Sequence, residues 1–468
     1  MRAVRFVGEQ GCDDQAYAAA LADTPGGVIN TLPGGNVTLR FKRDGRPLYV
    51  GMSPLARDLV DVAVTAYITD EMEDRELAPD RWTRSQDYTV PVRDSALWSG
   101  VTPVLASTLN RVGGDNFNFT WLGRKAIPVR KHRFKLSRGF DAVCLFSGGI
   151  DSLMGAYRLL KGGKRLILLG HQADNVTASA QTALARQLAL LFRDQLTLVQ
   201  CRLARSRAEE TRYPLAEKVE ETHRCRSFLF LSLAAAVAAT AGVTELYIPE
   251  NGLIALNAPL QRSRFGSLST RTAHPQFLAG FANLVAQLGL FAGALRNPFL
   301  YDSKTDMLRG LPSELVPLVK RSVSCSRSSR YKNLKVLHCG YCMPCIYRRT
   351  AMIECALDAP QDYAFDVFQG LEDVGPLKRL DFRGLVQFAE RAVAASEMKL
   401  EVTVVSHGYF PPEVGAKLGP YATADYTPWA KMILSWSQDF LSKMRIACSQ
   451  KTLGIVGLNT TSNGVPTT

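Results

Sequence analysis

The order of apolar and polar positions divides the chain into three regions. In the middle region, short apolar runs alternate with longer stretches whose apolar residues recur at helical spacing. Residues 141–146, 165–169, 196–199 and 246–248 are β-type runs, and 152–160, 178–192 and 216–241 carry the helical pattern between them. A short apolar run bounded by turn residues suits a strand buried on both faces. Strands separated by helices associate as a parallel sheet with helices over each face. The expected fold class is α/β, a doubly wound parallel sheet. The first region, residues 1–135, mixes a strand-like run at 37–41, a helical pattern at 54–71 and aromatic, turn-rich stretches around Trp82, Trp98 and 113–121. It reads as an accessory α+β domain for partner docking, without chemistry of its own. Its basic end, Arg130, Lys131, His132, Arg133 and Lys135, suits a linker or surface strand. After the middle domain (136–360) comes a helical extension (361–468) with a loose polar tail from Asn459.

Composition adds less. At 468 residues the chain exceeds one compact core, and 46% hydrophobic with 21% charged residues is the balance of a soluble globular protein. The net charge of +13 suits polyanionic partners such as nucleotides, nucleic acid or acidic proteins. No Lys/Arg block dominates, so a soluble surface around a cationic substrate cleft accounts for it. The most apolar segment, 228–241, is shorter than the roughly 20 residues that cross a bilayer, and Arg224 and Arg226 precede it closely. It reads as a buried core helix. The opening residues lack a secretory pattern. The expected location is the cytoplasm, with no membrane partner.

Candidate chemistry changes the picture at Ser147-Gly148-Gly149-Ile150-Asp151-Ser152, between the first strand and its helix. Two glycines let the backbone turn tightly and approach phosphate oxygens without a Cβ in the way. The N–H groups of the turn and the new helix then point at the anion, aided by the helix dipole. Ser147 and Ser152 add hydroxyl donors. Asp151 cannot hold phosphate directly, and its expected role is to orient Mg²⁺ on a pyrophosphate. No Walker loop occurs, which argues against transfer of a γ-phosphate.

Cys325, Cys339, Cys342 and Cys345 form a C-x13-C-x2-C-x2-C array around Gly340. Four thiolates close the shell of one tetrahedral Zn²⁺, so the metal is expected to be structural. An iron–sulfur cluster is the rival ligand for such a set, and His338 stands beside it as a competing donor. The other six cysteines are scattered singly; Cys144 and Cys225 are expected to pack as small apolar residues.

Charged residues near these motifs are candidate substrate ligands. Lys304 suits charge neutralisation on departing pyrophosphate. Arg226, at the head of the apolar helix, suits a carboxylate or phosphate. Glu250 and Asn251 follow a strand, at the end where ligand crevices form in open α/β sheets. The polar segment 256–275, with Arg271 and His274, reads as a substrate lid.

In order along the chain, Ser147 to Ser152, Arg226, Lys304 and the cysteine array ending at Arg348 resemble the QueC-like 7-cyano-7-deazaguanine synthases, N-type ATP pyrophosphatases. The resemblance covers residues 141–356. It implies adenylation of 7-carboxy-7-deazaguanine by ATP, with Ser147, Gly148, Gly149, Asp151 and Ser152 on the triphosphate, Lys304 assisting pyrophosphate departure and Arg226 near the reacting carboxylate. The whole chain is similar to the long QueC-like proteins of anti-phage operons, the Qat system and certain CBASS operons. That similarity implies transfer of the activated group to an amine on a partner protein. A stand-alone synthase using ammonia and a non-catalytic nucleotide or nucleic-acid binding module are the alternatives. Nucleic acid ranks behind a deazaguanine-type small molecule and an acceptor protein as partner, and a homodimer is left open.

Overall fold

Two sheets organise the chain. The computed structural model describes residues 3–8, 28–31, 35–48, 50–124, 139–206, 215, 217–220, 224–256, 273–406 and 426–458. The first region supplies β1 (Ala3–Gly8), β2 (Val28–Asn30), β3 (Val37–Arg43), β4 (Arg46–Leu48), α1 (Pro54–Met72), β5 (Ser85–Val92), α2 (Ser95–Gly113) and β6 (Asn116–Gly123). Strands β2, β1, β5 and β6, in that order, form a parallel sheet. Local chemistry bounds the helices. Ser53 accepts from the Ala56 N–H at 3.2 Å, just ahead of Pro54 in the first turn of α1. Asp94 accepts from the Leu97 N–H at 2.9 Å, and Gly114, at φ +70°, closes α2. The stretch around Trp98, expected to be turn-rich, is therefore helical, and 116–123 is a strand. Trp98, Val101, Leu105, Leu109 and Val112 form the buried stripe of α2, with Trp98 against Trp121 at 5.0 Å between ring centroids.

The middle region supplies β7 (Ala142–Leu145), α3 (Ile150–Lys161), β8 (Leu166–His171), α4 (Asn175–Leu191), β9 (Leu196–Arg205), α5 (Arg226–Ala241), β10 (Glu245–Tyr247), α6 (Gly252–Leu256), α7 (Pro275–Gln287), β11 (Ala294–Arg296), α8 (Lys304–Leu308), α9 (Val316–Arg321) and α10 (Met343–Glu354). The second sheet has the order β11-β10-β7-β8-β9-β3-β4. Its first five strands are parallel, in registers such as Ala142↔Leu166 and Leu166↔Leu196. The β3–β4 hairpin completes the edge antiparallel to β9, from Val37↔Arg205 to Arg43↔Val199. The sheet is thus mostly parallel, and two strands N-terminal to the expected boundary at 135 belong to it. That pairing extends β9 beyond the apolar run at 196–199, because a partner strand satisfies backbone groups whatever the side chains.

Helix α5 starts at Arg226, later than the helical pattern from 216 suggested. Residues 217–220 lack helix and bind the end of α1 instead: the Val219 and Glu220 N–H groups donate to the Glu71 carbonyl at 3.0 and 3.2 Å. Alternate strand residues feed two cores. Ala142, Cys144, Leu166, Leu168 and Leu198 pack in a cluster with residues of α3 and α4. Val143, Leu145, Ile167, Leu169 and Val199 belong to a larger cluster with residues of α1 and α5. Both faces are covered, as a strand buried on each side requires.

The described C-terminal region contains α11 (Pro376–Val393), α12 (Glu397–Ser406), α13 (Thr427–Ala447) and α14 (Gln450–Val456). Helix α13 meets the middle region through Trp429 against Tyr301, at 5.1 Å. Its Met432 sits so close to Gly252 that a Cβ there would lie 2.3 Å from the sulfur. No described helix is long and apolar enough to cross a membrane.

Candidate active site and four-cysteine centre

Strand order reverses at β7, with β8 and β9 on one side and β10 and β11 on the other. Such a reversal leaves a crevice beyond the C-terminal end of the strand, and the chain leaves β7 there through Ser147, Gly148 and Gly149. Gly148 has φ +87°, and a Cβ on it would come within 3.3 Å of the Gln181 nitrogen, so the turn requires glycine. Ser152 Oγ accepts from the Gly148 N–H and from Ser147 Oγ, each at 3.2 Å, and donates to the Gly149 carbonyl at 3.1 Å. Gly149 caps α3 without a side-chain bond. The leading N–H groups of α3 are thereby left for an anion.

Asp151, in the first turn of α3, is buried. Its Oδ2 accepts from the Asn251 backbone N–H at 3.2 Å and from Asn251 Nδ2 at 2.7 Å, and its Oδ1 pairs with Lys304 Nζ. Lys304 opens α8, which is held by a capping box of Ser303 and Asp306. Asn297 clamps the Glu250 backbone: the Glu250 N–H donates to its Oδ1 at 3.3 Å, and its Nδ2 donates to the Glu250 carbonyl at 2.8 Å. Burial, and next the nearby Asp151, push the Glu250 carboxyl up to about 8, with Lys304 opposing. A cavity of ≈ 230 Å³ opens here, lined by Ser147, Ser152, Arg226, Phe230, Ile248 and Glu250 among others.

Arg226 reaches this cavity because the first region holds the residues before it. The Cys225 N–H donates to Asp70 Oδ2 at 3.0 Å. The Arg224 guanidinium stacks over Trp82 at 4.2 Å and donates to the Gly113 carbonyl at 3.3 Å. Asp70 in turn shares Arg75 and Arg84 with Asp115 in a buried cluster. Arg226 lies over Phe230 at 5.7 Å, and Phe230 packs edge-on against His171 at 5.2 Å. Tyr67 of α1 packs on the same His171 at 6.2 Å. Burial, then Glu71, raise the Tyr67 hydroxyl, against the pull of Arg226.

The Sγ atoms of Cys325, Cys339, Cys342 and Cys345 lie within 4.8 Å of one another, all buried. Cys325 and Cys342 are 4.0 Å apart, and Cys339 and Cys345 3.8 Å. Thiolates about 2.3 Å from one tetrahedral Zn²⁺ stand about 3.8 Å apart, so the donor set fits that ion. Backbone N–H groups of Arg327 and Cys339 donate to Cys325 Sγ, and that of Cys342 to Cys339 Sγ, each at 3.3 Å. Gly340, at φ +86°, leaves no room for a Cβ, which would fall 2.0 Å from the Phe365 carbonyl oxygen. His338 stands outside this set and packs on Tyr363 at 5.6 Å. The centre is coupled to the loop. Arg348 of α10 donates to Ser322 Oγ at 2.7 Å and to the Val319 carbonyl at 2.9 Å. The next residue, Val323, donates its N–H to the Gly148 carbonyl at 2.8 Å. Helix α10 also packs on α8, which carries Lys304.

The residues singled out in the sequence divide into three groups. Ser147, Ser152, Arg226 and Glu250 line one cavity, with Asp151 and Lys304 paired beside Glu250. Asn251 and His274, expected as substrate ligands, have other employment. Asn251 is buried on Asp151, and His274 Nδ1 caps α7 by accepting from the Gln276 N–H at 3.2 Å. Arg271 and most of the expected lid, 257–272, lie outside the described residues. Asn297, Phe230, His171 and Tyr67 were missed. A single aromatic or amide in an apolar stretch carries no local signal, and only Phe230, one helical turn after Arg226, was accessible to a periodicity argument.

The sheet order, its reversal point and the glycine loop define a mostly parallel α/β domain with a crevice at its switch point. Residues 138–248 match the family model of the thiamine biosynthesis protein ThiI. The chain is also similar to two curated relatives. The 7-cyano-7-deazaguanine synthase of Methanothrix thermoacetophila is 27% identical over 235 residues, spanning 98% of that protein and 47% of this chain. The 7-cyano-7-deazaguanine synthase of Methanoculleus marisnigri is 26% identical over 248 residues, again 98% of that protein and 47% of this chain. No solved structure matches the chain.

Proposed function

We propose that the chain is an ATP-dependent carbon–nitrogen ligase that adenylates the carboxylate of a 7-deazaguanine and passes the acyl group to an amine. The observation that carries this reading is the convergence of the loop serines, Arg226 and Glu250 on one cavity beside the Asp151–Lys304 pair. The loop N–H groups and the hydroxyls of Ser147 and Ser152 cradle the triphosphate. Arg226 holds the carboxylate, and Phe230 offers a face to a planar ring. A carboxylate oxygen attacks the α-phosphorus, the bond to the β-phosphate oxygen breaks, and Lys304 takes up charge on the leaving pyrophosphate. The amine nitrogen then attacks the acyl carbon and AMP leaves. The amine proton passes to the phosphate of the departing AMP. Asp151 and Glu250, two neighbouring carboxylates that hold one proton above neutrality, are oxygen donors suited to Mg²⁺. The ion would neutralise pyrophosphate charge. The four-cysteine centre holds a structural Zn²⁺ in this reading and stiffens the loop through Arg348 and Val323.

The finer assignment is transfer to the N-terminal amine of a partner protein in anti-phage defence. It is supported by the resemblance to long QueC-like proteins, and by the half of the chain that the two relatives do not cover. The test incubates the protein with ATP, Mg²⁺ and 7-carboxy-7-deazaguanine, with and without ammonium, and follows AMP and deazaguanine products by mass spectrometry. AMP with adenylate but no free nitrile supports the ligase. Multiple turnovers to free nitrile establish the ammonia-using synthase instead, and no AMP at all removes both.

A further inference from the structure

The antiparallel pair β3–β9 carries an arrangement of charge that folding alone does not favour. Arg40 stands directly opposite Arg202, and Lys42 opposite Gln200. Directly opposed side chains share a face about 5 Å apart, and next-but-one residues along a strand recur at about 7 Å. Like charges so placed are destabilising, yet all three cations are exposed and none forms an ion pair with a described residue. The face they share is the one under α4, since the Gln200 side chain donates to the Ala178 carbonyl at 3.1 Å and to Gln181 at 3.0 Å. Beside this face, helix α4 and the start of β9 enclose a groove of ≈ 420 Å³ lined by Arg186, Arg193, Asp44, Asp194, Leu196 and Leu198 among others. Three cations thus crowd one strand face, beside that groove rather than within it. No carboxylate stands in the register between Arg40 and Arg202 and their strand neighbours Lys42 and Gln200.

We propose that this cationic strand face binds the phosphate backbone of a nucleic acid. Arg and Lys without apolar anchors are what a phosphate chain recruits, whereas a protein interface is built around buried aromatic or aliphatic side chains. Here Thr38, Arg40 and Lys42 stand opposite Ala204, Arg202 and Gln200 on the shared strand face. This face lies on the same sheet as the glycine loop, linked to it through Gln200 and Gln181, whose Nε2 also donates to the Ser147 carbonyl at 3.5 Å. Because β9 is two strands from β7, a bound strand passes within about 10–15 Å of the loop. The inference stands independently of the ligase reading.

The test is fluorescence anisotropy of the full chain with a labelled mixed-sequence 20-nucleotide RNA across a salt series. The triple variant Arg40→Glu, Lys42→Glu, Arg202→Glu is compared with Arg46→Glu, Arg383→Glu, Lys399→Glu. The second set removes the same charge elsewhere, Arg46 lying on the opposite face of the hairpin. The expected result is at least a ten-fold rise in Kd for the first variant only, with the log–log salt slope reduced by about 2. Equal weakening in both variants, no binding by the wild type at 50 mM salt, or tighter binding of poly-glutamate than of RNA of equal charge would each overturn the proposal. The single variant Arg202→Glu guards against misfolding. It places opposite charges across the strands, so its Tm should equal or exceed the wild-type value while RNA binding still weakens.

Discussion

In the first region, Asp70 and Asp115 share the two guanidinium groups of Arg75 and Arg84, at 2.5–3.0 Å and with almost no exposure. In the middle region, Asp151 and Glu250 have a single ammonium, that of Lys304, and Asp151 takes its contact. The first cluster is fully buried, the second buried at Asp151 and Lys304 and half-buried at Glu250, and only the first balances its charge. There, burial lowers the proton affinity of Arg84, yet the two carboxylates more than reverse it. In the second, burial and Asp151 leave Glu250 holding its proton to about pH 8. A balanced cluster has nothing left to bind and serves as a rivet, here fixing Cys225 and hence Arg226. An unbalanced one retains capacity for a cation or a proton, which is the condition of a reacting site.

Four substitutions would break or sharpen that contrast. The largest expected effect is on stability: Arg84→Leu leaves two buried carboxylates with one partner and should cost about 3–5 kcal/mol, read from denaturant unfolding. A loss under about 1 kcal/mol would mean that the first cluster is not a rivet. Lys304→Ala should instead cut ATP- and substrate-dependent AMP formation by roughly 100- to 1000-fold, about 2.7–4 kcal/mol in the barrier. Unchanged AMP formation would remove Lys304 from the chemistry.

Arg348→Met is intermediate. It removes charge-assisted bonds to Ser322 and Val319, each kind worth about 1.5–3 kcal/mol, and should raise amide exchange at Gly148 and Val323 as well as lower Tm. Exchange unchanged at those two positions would uncouple the cysteine centre from the loop. The smallest effect is a pH trend. A carboxyl whose folded pKa is raised binds more protons in the native than in the unfolded chain, so stability is full below about 4.5 and declines as pH rises towards about 8. Glu250→Gln should abolish that share of the decline, measured as Tm between pH 4.5 and 8 without ATP or Mg²⁺. Parallel Tm profiles for both proteins would show that Glu250 is not held protonated.

The strands of the parallel core, the helices between them, the loop and the cysteine centre were legible because their signals are local. A two-sided strand must be apolar throughout, as 142–145 and 166–169 are, and the glycine turn announces itself in adjacent residues. The cysteine array closes within one short segment after Cys325. The contribution of β3–β4 to the sheet was not legible. Alternating Val37, Leu39 and Phe41 marked a strand at 37–41, but its pairing to β9 runs through backbone groups, which carry no local sign of which sheet it joins. Trp98 and its helix were obscured because the aromatic residues of 82–121 suggested turns, whereas Asp94 and Gly114 were the informative residues.

The sequence by itself therefore determined the parts whose signals lie within a few residues: the glycine turn of Ser147 to Ser152, the clustering of the four cysteines and the alternation that makes the sheet. Only the tertiary structure decided which distant side chains serve them. It put Lys304 on Asp151, 153 residues away, and turned Asn251 to that same carboxylate. It used His274 as a helix cap and set Arg226 into the cavity through Asp70, 155 residues from its partner Cys225. Those choices depend on burial and on competition among partners brought together by packing, and neither exists until the sheet has formed.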